Sequence, residues 1–124
     1  MNYLAIDYGS KRIGLAVAIS GIIEPISPVK NDTNLFNNLN KIITEYQIEK
    51  IFVGISEGEF ALKTKKFVKD LQNMVRLNIE TTEEAVSTIE AEKIFLDNRK
   101  KKKNYKKSID SISAAVILRR VINS

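Results

Sequence analysis

Residues 4–18 read LAIDYGSKRIGLAVA. Two apolar runs flank a short polar turn, and the first run ends on an aspartate. Alternation along a strand puts Leu4 and Ile6 on one face and Ala5 and Asp7 on the other. The Asp7 carboxylate then stands at the strand's C-terminal end, where open α/β sheets hold their ligands. Gly9 lets backbone or substrate come close. The plainer alternative is an Asx-turn, in which Asp7 accepts hydrogen bonds from Gly9 and Ser10.

Outward from this stretch the pattern alternates. Residues 3–7 and 12–18 read as strands joined by the turn, and residues 22–26 (IIEPI) add a third, giving an antiparallel opening. Asp32 or Thr33 offers an N-cap for a helix carrying Leu35, Phe36, Leu39, Ile42, Ile43 and Tyr46 at helical spacing. KIFVGI, residues 50–55, is a β-branched run without polar alternation, as a strand buried on both faces requires. Phe60, Thr64, Phe67, Val68, Leu71 and Val75 mark a second amphipathic helix, and residues 76–81 (RLNIET) another strand. Ser87 and Glu90 form a capping box for a helix to about Leu96. A lysine-rich loop then leads to a last helix from Ser108 to about Ile122. The expected fold is α/β: a mixed five-stranded sheet, three antiparallel strands followed by a parallel βαβ unit, with helices on both faces.

Composition narrows the chemistry. The chain has 124 residues, 44% of them apolar, which suits one domain over residues 1–124 with a single core. No apolar run approaches the ~20 residues that span a bilayer, and no signal-peptide pattern opens the chain, so the expectation is a cytoplasmic protein without a membrane partner. There is no cysteine and no histidine, which excludes thiol nucleophiles, imidazole acid/base catalysis and the usual zinc sites. The net charge of +5 arises from 20 basic and 15 acidic residues. Its excess is local: RKKKKNYKK, residues 99–107, carries seven of the positive charges and no acid. Lys100, Lys101, Lys102, Lys103, Lys106 and Lys107, with Tyr105 among them, suit a phosphate backbone, whose condensed counterions they would release. The plainer alternative is a solvated loop.

Two further acids join Asp7. Asp110 opens a helix on which Ala114, Ile117, Leu118 and Val121 follow along one apolar face, an inward placement that a simple first-turn dipole charge does not need. In TTEEAVST, residues 81–88, Glu84 or Glu83 projects where a strand ends. Three carboxylates converging on one sheet edge repel one another unless a divalent cation lies between them.

The order of these motifs resembles the YqgF family, also called RuvX, of RNase-H-fold nucleases. LAIDYGSKRIGLAVA is similar to its opening strand pair, IFVGIS to its central strand, TTEEAVSTIEA to its acidic strand-to-helix element and SIDSISAAVIL to its final helix. The resemblance covers nearly the whole chain. It implies an RNase-H-like fold and a metal-dependent phosphodiesterase site, with Asp7, Glu84 and Asp110 at the positions of the family's acids and Mg²⁺ or Mn²⁺ as cofactor. Asp7 would bridge two ions, and Tyr8, Ser10, Lys11 and Arg12 would hold the nucleic-acid backbone; as a plainer alternative, Lys11 and Arg12 form an exposed turn. Family members are described as processing precursor 16S rRNA, and some as Holliday-junction resolvases; the partner expected here is therefore precursor 16S rRNA or branched DNA, and the chain is expected to be a monomer or homodimer.

The chain departs from the family pattern in two places. Where an Asp-Glu-Arg sequence is usual, Glu83, Glu84 and Ala85 stand, so an arginine is missing. The central strand continues as Ile55, Ser56, Glu57 rather than ending Gly-Leu-Pro, and Ser56 with Glu59 reads as a capping box on the next helix. The missing arginine gives weight to a second class of function, a nucleic-acid-binding module with weak catalysis. A third, the phosphate-binding turn of actin-fold ATPases and sugar kinases, needs two related domains.

Overall fold

The computed structural model describes residues 1–55, 59–82 and 102–122, with backbone alone for residues 59 and 102–110. Their elements run β1 (Asn2–Asp7), β2 (Arg12–Ile19), β3 (Ile22–Lys30), α1 (Leu35–Glu45), β4 (Lys50–Gly54), α2 (Glu59–Met74), β5 (Asn78–Thr82) and α3 (Lys102–Ile122). The five strands form one sheet in the order β3-β2-β1-β4-β5. β1–β2 and β2–β3 pair antiparallel, while β1–β4 and β4–β5 pair parallel. This is the mixed sheet expected from the sequence. The helix expected over Ser87–Leu96 and the capping boxes at Ser56 and Ser87 lie outside the described residues.

Period-two alternation divides the core into two layers. Leu4, Ile6, Ile13, Leu15, Val17, Ile51 and Val53 point to one face and pack with Leu35 and Leu39 of α1 and Phe67, Val68 and Leu71 of α2. The other face is built from smaller residues: Ala5, Ala16 and Ala18, with Phe52, meet Ala114, Ala115, Ile117 and Leu118 of α3. Helices therefore cover both faces. Residues 111–118 of α3 are all buried, so this helix has no solvent face there, in contrast to the single apolar stripe expected from its sequence.

Three boundaries differ from the expectations. β3 continues past Ile26 to Lys30 because Pro28 is accommodated by a bulge, not excluded: the register with β2 slips between Ile13 and Leu15, so that Ser27 and Pro28 together oppose Gly14. β5 begins at Asn78, two residues later than expected. α3 begins at Lys102, so Lys102, Lys103, Tyr105, Lys106 and Lys107 lie on a helix and not on a loop. Lysine is a good helix former, and a run of it extends a helix that packing has already fixed further along. At the β2–β3 hairpin, Ser20 and Gly21 both take positive φ, 52° and 84°, as the two-residue turn matching the strand twist requires. Before α1, Asp32 closes the turn by accepting the Asn34 N–H (2.9 Å).

α3 packs tightly on the sheet at Gly54, where an added Cβ would lie 2.7 Å from Ile117 Cδ1. Gly54→Ala is expected to cost about 1–3 kcal/mol through this overlap. Ile117→Val removes the offending methyl, so the double variant in urea unfolding should be more stable than the sum of the single effects by about 0.5 kcal/mol or more. Strict additivity would show that Gly54 does not set the helix–sheet distance.

Candidate nuclease site

Asp7 is the last residue of β1. Its cross-strand partners are Gly14 on β2 and Gly54 on β4, and Gly54 in turn pairs with Thr82, the last residue of β5. The row Gly14–Asp7–Gly54–Thr82 thus ends the sheet with one carboxylate flanked by two residues that have no side chain. By alternation with Ala5, Asp7 belongs to the α3 face. The Thr82 Oγ1 hydroxyl in this row is buried and has no hydrogen-bond partner among the described residues. An unsatisfied buried hydroxyl is costly enough that native proteins keep few of them.

α3 is registered on this row by its own side chains. At the bulge the Leu15 N–H donates to Ser111 Oγ (3.3 Å), and Ser111 is fully buried. Asp110 is the preceding residue, so its backbone stands beside the Gly14–Leu15 step of β2, one strand from Asp7. Glu84 and Glu83 lie outside the described residues, as do Ala85, Lys100 and Lys101; the chain approaches them from Thr82, in Asp7's row. Among the described residues there is no cluster of three or more potential acidic metal ligands.

The turn after Asp7 is held from β3. Asn31 Nδ2 donates to the Gly9 carbonyl (2.8 Å), and the Asn31 N–H donates to the Lys11 carbonyl (2.9 Å). A side chain at Gly9 would overlap the Arg12 carbonyl oxygen, so glycine is required there by a close backbone approach. Ser10, Lys11 and Arg12 are exposed. Tyr8 takes a different position: its ring stacks on Phe67 (centroids 4.5 Å) and Phe60 (5.6 Å), against the α1/α2 layer. It therefore lies on the face opposite Asp7, and is separated from the other residues expected to hold a backbone beside it. Asn31 gives little signal in the sequence, because it lies beyond the strand expected over residues 22–26.

The family model described as RuvX, Holliday junction resolvase, matches residues 1–124. The chain belongs to the RuvX family. It is 39% identical over 125 residues to a protein of Sulfurihydrogenibium sp. (strain YO3AOP1), covering 93% of this chain and 85% of that one. It is 31% identical to a protein of Desulforamulus reducens, covering 100% and 98%. Both relatives are provisionally named as pre-16S rRNA nucleases. Among solved structures, the fowlpox virus Holliday junction resolvase superposes with a TM-score of 0.63 at 16% identity, covering 98% of this chain and 96% of that one. RuvC of T. thermophilus, in complex with a Holliday junction substrate, gives 0.59 at 13% identity over 97% and 96%. These two likenesses establish the RNase-H-like fold. RuvX proteins are nucleases, so the reaction class is hydrolysis of phosphodiester bonds. Among the described residues no helix is long and apolar enough to cross a membrane.

Asn31 carries a testable role in this RuvX chain. Asn31→Ala removes the side-chain bond to Gly9 and is expected to cost about 0.5–1.5 kcal/mol. Amide exchange at residues 9–12 should accelerate more than exchange in β4, because the lost bond ties down the turn alone.

Proposed function

We propose that this chain is a divalent-metal-dependent endonuclease of structured nucleic acid, acting on the 5′ end of precursor 16S rRNA, with Asp7, Glu84 and Asp110 as its acids. The observation that carries the reading is the row Gly14–Asp7–Gly54–Thr82, with α3 registered on it through Ser111. It places the Asp7 carboxylate at the sheet edge between two glycines, with a buried hydroxyl nearby that has no hydrogen-bond partner among the described residues. The provisional names of the relatives support the ribosomal substrate.

The donor chemistry fits a hard cation. The chain offers carboxylates and a hydroxyl but no imidazole or thiolate, the oxygen set that suits Mg²⁺ or Mn²⁺. Asp7 would hold the ion, with Glu84 and Asp110 completing its ligands. When bound, such an ion acts as a Lewis acid and lowers the pKa of a bound water, so histidine is not needed. Lys11 and Arg12, exposed on the turn that Asn31 fixes, neutralise the phosphates next to the scissile bond, and Ser10 offers them a hydroxyl. The helical lysines of the α3 N-terminal part, with Lys100, Lys101 and Tyr105, bind the flanking backbone.

A second reading, cleavage of branched DNA, is favoured by the description of the matching family. Purified protein with Mg²⁺ or Mn²⁺ should cut a precursor 16S rRNA fragment in preference to a four-way DNA junction; the opposite preference would select the second reading. Cutting of neither would leave a binding module.

Asp7→Asn should reduce cleavage at least about 100-fold while the unfolding free energy measured in urea stays within about 0.5 kcal/mol, as is typical of substitutions that break no packing. Turnover at the wild-type rate would remove Asp7 from the site. Replacing Lys100, Lys101, Lys102 and Lys103 with glutamine should lower the log–log slope of binding against salt by roughly two to four, at about 0.9 per duplex phosphate contact. An unchanged slope would mean that these lysines do not touch the substrate.

A further inference from the structure

The face of the sheet opposite Asp7 carries a second constellation. Phe60, Tyr8, Phe67 and Phe36 form a column of near-parallel rings, with centroid spacings of 5.6, 4.5 and 5.8 Å and interplanar angles of 22–28°. Beside it a cleft of about 260 Å³ opens, walled by Tyr8, Phe36, Phe67 and Leu35 and rimmed by Asn31, Lys63 and Lys66. That volume is below the roughly 300–1,000 Å³ of a pocket for a drug-sized ligand, and on the scale of a single nucleoside.

The rim carries two lysines beside two aspartates. Lys63 and Lys66 are exposed and three residues apart on α2, so they project from neighbouring positions on one helix face. Asp32 and Asp70 also line the cleft, yet neither lysine forms an ion pair with them. Lys63 Nζ instead lies 6.0 Å from the Phe60 ring centroid. An aromatic wall beside two ammonium groups that form no ion pair with a carboxylate among the described residues offers contacts to the two halves of a nucleotide, a planar base and a phosphate.

We infer that this cleft binds one unpaired nucleotide of a single-stranded segment of the substrate, its base against the Tyr8–Phe67–Phe36 wall and its phosphate on Lys63 and Lys66. The inference rests on the proposed function, in that the ligand belongs to a nucleic acid. Tyr8 directly follows Asp7, so the nucleotide held here is anchored a short way along the strand from the carboxylate edge. Asn31 is shared by the two regions: it ties the turn at Gly9 and lines the cleft. A single strand bound in the cleft thus feels the same residue that fixes Lys11 and Arg12.

The test is a titration of isotope-labelled protein in metal-free buffer, with a single-stranded octanucleotide and, separately, with adenosine 5′-monophosphate. The octanucleotide should shift the amides of Tyr8, Asn31, Phe36 and Phe67. Lys63→Gln combined with Lys66→Gln should lower the salt slope of its binding by about 0.7, for the one phosphate that the pair neutralises on a single strand. Both lysines are exposed, and circular dichroism checks that the double variant is folded. Octanucleotide binding that leaves the four amides unmoved, an unchanged slope, or a mononucleotide that binds as tightly as the octanucleotide would each overturn the inference. Cleavage with Mn²⁺ is assayed in parallel. Shifts in the cleft without cleavage of any substrate refute the nuclease reading but uphold the cleft, whereas cleavage with an unchanged slope does the reverse.

Discussion

The structure depends on how closely α3 can approach the sheet. Two alanines on β2, one on β1 and glycines at positions 14 and 54 leave part of one sheet face with small side chains or none, and Ala114 and Ala115 present small side chains in return. Larger residues on either side would lift the helix and lose the contact between Ser111 and the Leu15 N–H, which joins residues 96 positions apart. The opposite face is filled with leucine, isoleucine, valine and phenylalanine, so the two layers do different work. The large residues supply most of the apolar burial. The small ones hold α3 at the distance that brings the backbone of Asp110 next to the row of Asp7.

Much of this was legible in the residues. The alternation of LAID placed Asp7 on the face opposite Leu4 and Ile6, the β-branched run at 51–53 marked a central strand, and the element order led to the mixed sheet. The same alternation separates Tyr8 from Asp7, a consequence that grouping Tyr8 with the polar turn obscured. Other features were not legible because their causes are non-local. Pro28 reads as a strand breaker until a bulge opposite Gly14 accommodates it. The lysine run reads as a solvated loop until packing at 111–118 fixes the helix that it extends. Asn31 gains its role only when β3 brings it beside Gly9. Nor does a sequence pattern show that Thr82 places a buried hydroxyl in the row of the carboxylate.

The charge of the protein was read mainly from one run, and the structure distributes it further. α2 carries Lys63, Lys65, Lys66 and Lys69 against Glu59 and Asp70, a balance hidden when the whole remainder of the chain is counted together. Lysines at spacing three and four share a helix face, and so make a local field that a net charge does not report. The positive potential of this nuclease is therefore carried by two helices, α2 and α3, which lie on opposite faces of the sheet.

β3 has a consequence beyond the register slip at its bulge. It is an outer strand of the sheet, and two of its nine residues, Pro25 and Pro28, have no amide hydrogen. A foreign strand arriving at that side meets missing donors and an interrupted repeat where an uninterrupted row of hydrogen bonds is needed. The sheet thus resists growth by strand addition on this side through its own covalent chemistry, and self-association of the β3 edges is disfavoured from the moment the hairpin forms.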